Sequence, residues 1–222
     1  MKLEAFFRQH SALDVAKADQ RVRWRLTAQE SPTLNLLRDA ADAYNELGGK
    51  SSPRELTTAY CVKCLMWLML KRLFGDKAQW RKQYDEVAEW LNENDGKGLF
   101  LYGSCGQGKT VMARQIIIPA VEQLHGKVIS YINATELEDS KGAWWGRKLL
   151  CIDDIGAEAI NAFKNMAFGQ IVDAAEKQGG LLVLTTNLNQ EQMMERYGER
   201  ICDRLFGLTR MVVFNEGKSM RR

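Results

Sequence analysis

Gly103-Ser104-Cys105-Gly106-Gln107-Gly108-Lys109-Thr110 lies directly after the apolar run Leu99-Phe100-Leu101-Tyr102 and directly before the helix-like Val111-Met112-Ala113-Arg114-Gln115-Ile116-Ile117. A G-x-x-x-x-G-K-[ST] spacing between a strand and a helix is the pattern of a phosphate-cradling loop. The glycines allow backbone N–H groups to converge on phosphate oxygens. Lys109 can reach the β and γ oxygens, and the Thr110 hydroxyl can hold Mg²⁺ in the first turn of the helix. The stretch therefore predicts a nucleoside triphosphate site in an α/β protein.

A second acidic element follows. Leu149-Leu150-Cys151-Ile152-Asp153-Asp154 reads as an apolar strand ending in two carboxylates. Asp153 is placed to ligate Mg²⁺ directly or through water, and Asp154 to orient or deprotonate the water that attacks the γ-phosphate. Thr185-Thr186-Asn187 ends the next apolar run, which would bring the Asn187 amide to the same edge of the sheet. Asn189 and Gln192 have capping-box spacing at the start of a helix. Beyond that helix, Arg200 and Arg204 stand one helical turn apart. In a monomer they could pair with Glu199 and Asp203; in a ring or filament one could reach a neighbour's γ-phosphate.

Outward from these motifs, strand-like runs at 127–132, 148–152, 181–184 and 211–214 alternate with helical stretches, which indicates a largely parallel sheet. Residues up to about 75 read as helices, with Gly48-Gly49 and Gly75-Asp76 as breaks. This gives a helical domain at 1–75 and a nucleotide-binding domain at 76–222. The segment 55–74 is apolar on more than one face, as expected of a bundle centre or of a docking surface, and the sequence leaves both open.

The chain has 222 residues, 45% of them hydrophobic, and a formal net charge of +3, too small to argue for nucleic acid by itself. The five cysteines are scattered, unlike a disulfide framework. Cys61 and Cys64 form a lone C-x-x-C lacking the further ligands a zinc site needs, so two buried thiols are the expectation. The longest apolar run, Leu65-Met66-Trp67-Leu68-Met69-Leu70, falls far short of the ~20 residues that span a bilayer. A soluble, cytoplasmic protein with no membrane partner is expected.

Taken together, the phosphate loop, the run Asp153-Asp154-Ile155-Gly156-Ala157-Glu158, Thr186-Asn187, the Gly198-Glu199-Arg200 and Asp203-Arg204 stretch and the closing Gly217-Lys218-Ser219-Met220-Arg221 resemble the AAA+ ATPases of the DnaC/DnaI helicase-loader and IstB type. The resemblance covers roughly residues 85–222. It implies a P-loop AAA+ parallel sheet flanked by helices, with ATP and Mg²⁺ as cofactors. It makes Lys109 and Thr110 the phosphate and Mg²⁺ contacts, Asp153 and Asp154 the Walker B pair, Asn187 a sensor, Arg204 the first choice for an arginine finger with Arg200 second, and Arg221 a second sensor. It also implies a homo-oligomer in the ATP state that docks through its N-terminal helices onto a replicative helicase and places it on single-stranded DNA.

Two features depart from the family pattern. Residues 134–147, between two strand-like runs, are shorter than the region through which loaders usually contact DNA. Trp144-Trp145 with Lys141 and Arg147 could stack unpaired bases or could be packing. Asp154 stands where the wider class more often has glutamate, which implies slow, assembly-dependent hydrolysis. The motifs are shared with IstB-like transposition helpers, the alternative reading. A nucleoside kinase also uses a phosphate loop, but the Asp-Asp strand followed by Asn187 and Arg204 argues against it.

Overall fold

The computed structural model describes residues 22–24, 58–137, 139, 143–144, 146–158 and 165–215. Its sheet has five strands, β1 (Gly98–Tyr102), β2 (Ser130–Asn133), β3 (Leu149–Ile155), β4 (Leu181–Thr186) and β5 (Thr209–Val213). They lie in the order β2-β3-β4-β1-β5, and every neighbouring pair is parallel. A parallel sheet must be covered on both faces, so its strands read as continuous apolar runs rather than as alternations. That is why Leu99-Phe100-Leu101 and Leu181-Leu182-Val183-Leu184 carry no polar residue.

Successive side chains still point to opposite faces. Leu99, Leu101, Cys151, Val183 and Val212 join one core with helices α1 (Thr58–Phe74), α2 (Gln83–Asn92) and α3, which runs as Lys109–Val111, a π-helical segment Met112–Ile117 and Ile118–His125. Phe100, Leu150, Ile152, Leu182 and Leu184 join the other core with α4 (Asn165–Gln178), α5 (Gln190–Tyr197) and α6 (Glu199–Leu208). Three layers result, and all five strands end at one edge, where βα loops can gather.

Of the segment 55–74, helix α1 is described from Thr58, and its side chains from Val62 to Leu70 are largely buried. Val62, Cys64, Leu65, Met66, Trp67 and Leu70 are all buried, packed in the same core as β1 and α3. Its apolar character on several faces reflects burial against the nucleotide-binding layers. Val62, Leu65, Met66, Trp67 and Leu70 share a core with the sheet, and truncating Leu70 to alanine there would cost ~2–5 kcal/mol. The rest of the proposed N-terminal helical domain, apart from 22–24, lies outside the described residues.

Those three residues dock on the same core. Trp24 is buried, edge-on to Trp90 at 5.1 Å and stacked on His125 at 4.8 Å. Asn94 clasps the backbone, its Oδ1 accepting from the Trp24 N–H and its Nδ2 donating to the Val22 carbonyl. Burial pushes the His125 imidazole down to about 4, and its Nε2 lies 2.8 Å from the Leu91 carbonyl.

The strand boundaries differ from the sequence reading in an instructive way. β2 starts at Ser130, where pairing with Leu150 begins; Val128 before it is 72% exposed. β3 and β4 run on to Ile155 and Thr186, because the polar residues that end the apolar runs are still paired in the sheet.

Candidate nucleotide site

The loop between β1 and α3 has glycines where backbone geometry demands them. Gly103 has φ +143°, and a Cβ there would lie 2.4 Å from the Phe214 carbonyl oxygen; Gly108, at φ +86°, turns the chain into α3. Lys109 is buried, and its ammonium donates to the carbonyls of Gly103 at 2.7 Å and Ser104 at 2.8 Å and to Asn187 Oδ1 at 2.8 Å. Asn187 Nδ2 in turn donates to Asp154 Oδ1 at 3.0 Å. The lysine, the asparagine and the second carboxylate thus form one connected chain.

The acidic strand end is shaped by a bulge. β3 and β4 pair in register through Ile152 and Leu184, then shift so that Ile155 meets Thr186. Asp154 sits in the irregularity with φ +62°, a left-handed conformation that short polar side chains tolerate better than others. The shift leaves Asp154 half-buried while Asp153 is 2% exposed. The Thr185 hydroxyl serves both residues, donating to Asp153 Oδ1 and accepting from the Asp154 N–H at 2.8 Å. Thr110 Oγ1 donates to Asp153 Oδ1 at 3.1 Å, and the Tyr131 hydroxyl donates to Oδ2 at 3.0 Å. Burial, with the Asp153 charge beside it, pushes the Tyr131 hydroxyl up to about 12, so it stays a donor.

A cleft is lined by Gly106, Gly108, Lys109 and Thr110 of the loop and by Asp154 and Asn187 opposite. Hard oxygen donors at Thr110 and Asp153 suit a magnesium ion, which usually takes one or two protein oxygens besides phosphate and water. The lysine and the glycine-bearing turn suit phosphate. The side chains present fit the group that the loop pattern implies.

Other loop residues have structural partners. Ser104 N–H donates to Asn215 Oδ1 at 3.0 Å. Gln107 is buried and accepts from Arg81 at 3.2 Å, while Cys105 is exposed. Arg200 is exposed at the start of α6. Arg204 does not pair with Glu199 or Asp203; it holds Asp173, and Glu176 at 3.2 Å, on α4. Arg221, Trp145 and Lys141 lie outside the described residues. Trp144 is half-buried with the Arg147 guanidinium 6.0 Å from its ring.

Several contacts escaped the sequence reading. Tyr131 and Asn215 lie in no motif and reach the site only through the sheet. Glu158 is buried, accepts from Gly156 N–H at 2.8 Å and from the Tyr197 hydroxyl, and pairs with Arg196 at 3.5 Å, tying the end of β3 to α5. Only the presence of Glu158 in the acidic run hinted at this.

Known proteins resemble this chain in sequence and in fold. The chain is 29% identical over 140 residues to the replicative helicase loader DnaC of Buchnera aphidicola subsp. Acyrthosiphon pisum, a match covering 56% of each protein. With the DnaC of Escherichia coli K12 it shares 35% over 68 residues, 30% of this chain and 28% of that one. The chain thus matches little more than half the length of the Buchnera relative and under a third of the Escherichia coli one. Its fold superposes on a crystal structure of the DnaC helicase loader with a TM-score of 0.55 at 16% identity, covering 64% of this chain and 96% of that one. The chain is similar in sequence to DnaC helicase loaders and shares their fold. No family model matches it. A DnaI crystal structure gives a TM-score of 0.51 at 19% identity over 63% of this chain and 89% of that one. The five-stranded parallel sheet with helices on both faces is the AAA+ P-loop architecture.

Proposed function

We infer that the chain is an ATP-hydrolysing helicase loader, an assembly factor rather than a metabolic enzyme. The observation that supports this reading is the continuous linkage Lys109–Asn187–Asp154 beside Thr110–Asp153, which gathers a lysine, an amide, a hydroxyl and two carboxylates at one edge of the sheet. The curated relatives named replicative helicase loader support the biological direction. Among the described residues no helix is long and apolar enough to cross a membrane.

When bound, a magnesium ion would neutralise charge on the phosphate oxygens. The protein's own part is positional. Lys109 leaves the loop carbonyls for phosphate, Thr110 and Asp153 offer oxygens to the metal, and Asp154 takes a proton from, or orients, the attacking water. Asn187, bonded to both Lys109 and Asp154, reports the phosphate to the base. Arg200, exposed on α6, is the better-placed finger for a neighbouring subunit; Arg204 would first have to leave its two carboxylates on α4.

The test is co-purification of the intact chain with its native partner, with and without ATP. Recovery of a replicative helicase in an ATP-dependent manner supports the reading. Recovery of a transposase instead would replace it with the IstB-like alternative.

A further inference from the structure

Asp153 accepts hydroxyl hydrogen bonds from three different elements: Thr110 at the start of α3, Thr185 on β4 and Tyr131 on β2. Thr110 and Thr185 both donate to Oδ1, and among the described residues Tyr131 alone holds Oδ2. A carboxylate bonded through one oxygen can still swing about that contact; a third bond to the other oxygen fixes its plane. Tyr131 pairs with Cys151 in the sheet register, so its hydroxyl reaches along β3 to Asp153. Its ring is clamped by the Arg114 guanidinium, 4.9 Å from the centroid, on the π-helical segment of α3. The helix that follows the phosphate loop therefore contacts the tyrosine through Arg114 and the same carboxylate through Thr110.

We propose that Tyr131, backed by Arg114, is a positioning residue that fixes the Asp153 carboxylate for a divalent cation. Hydrogen-bond partners of this outer kind commonly govern metal affinity by ~10–100-fold. The inference rests on the nucleotide-site reading above, and concerns the metal half of it. Tyr131→Phe keeps the ring and the Arg114 contact and removes only the bond to Oδ2. Arg114→Gln keeps the hydroxyl and removes the clamp.

The experiment is titration of a fluorescent ATP analogue into the intact chain in EDTA, followed by titration of Mg²⁺ into the preformed complex. Tyr131→Phe should bind the analogue in EDTA as the wild type does and need about 10-fold more Mg²⁺ for half-saturation. Arg114→Gln should shift the Mg²⁺ midpoint the same way by a smaller factor. A structural defect would instead weaken binding in EDTA as well. Unchanged Mg²⁺ midpoints in both variants, or losses already complete in EDTA, overturn the proposal while leaving the nucleotide site intact. Failure of the wild-type chain to bind the analogue in either buffer overturns the nucleotide reading, and this proposal with it.

Discussion

The Lys109 ammonium lies 2.8 Å from the Asn187 amide oxygen, across 78 positions of sequence. The bond joins the phosphate loop to the end of β4, and the same asparagine goes on to Asp154. Binding and hydrolysis should therefore respond differently to changes at its two ends. Lys109→Ala should abolish nucleotide binding, whereas Asn187→Ala should retain binding and lower turnover, since of these two side chains the lysine is the one that supplies charge to the phosphates. Equal loss of affinity in both variants, measured with a fluorescent ATP analogue, would remove the relay.

Asp154 occupies a left-handed backbone position, which constrains what can replace it. Asp154→Asn tolerates that backbone and should keep nucleotide affinity while slowing hydrolysis by about 10²-fold or more. Asp154→Glu restores a carboxylate but places a longer side chain at positive φ, and should lower unfolding free energy by ~1 kcal/mol in urea titrations. A glutamate variant with full stability and faster turnover would show that the bulge does not select aspartate.

Variants at Arg204 and Arg200 test the proposed assembly role. Arg204→Ala should cost about 1 kcal/mol of stability through its lost contacts with Asp173 and Glu176, a modest figure because the pairs are partly solvated. Arg200→Ala should leave the melting temperature unchanged and lower turnover only in assembled protein. Mixing it with Lys109→Ala should recover part of that turnover if the finger acts between subunits. The reverse pattern, with Arg204 governing turnover at unchanged stability, would return the role to Arg204.

How much of this was legible in the sequence follows the distance between partners. The phosphate loop, the Asp153-Asp154 pair and Asn187 are local: each is a strand end followed by a polar residue, so spacing alone placed them at one edge. The capping box of Asn189 and Gln192 was equally local, and both of its hydrogen bonds form. Tyr131 reaches Asp153 across 22 positions and Asn215 reaches Ser104 across 111, contacts that exist only once β2 lies beside β3 and β5 beside β1. The apolar faces of 55–74 announced burial but not its partner, because periodicity reports how much of a helix is covered and not by what. The ion pairs of Arg204 follow the same rule: candidates on its own helix are visible in the sequence, and those on α4 are not.

His125 makes stability depend on pH. Its folded imidazole is held down to about 4 by burial, below the unfolded value near 6.5. The neutral form is favoured by folding, so this stabilisation is complete above about pH 6.5 and is lost as pH falls toward 4, a change of ~3 kcal/mol at most. Urea midpoints measured across that interval should fall with pH, and His125→Gln should flatten the slope. An identical slope in the variant would assign the pH dependence to other groups.

The most direct measurement is calorimetric titration of ATP with Mg²⁺ into the intact wild-type chain and into Lys109→Ala. Saturable binding by the wild type, strengthened by Mg²⁺ and lost in the variant, is the expected result. Absence of wild-type binding at about 1 mM ATP, where even ~4 kcal/mol of binding free energy would register, would contradict a triphosphate held between the 103–110 loop and the Asp153-Asp154 edge.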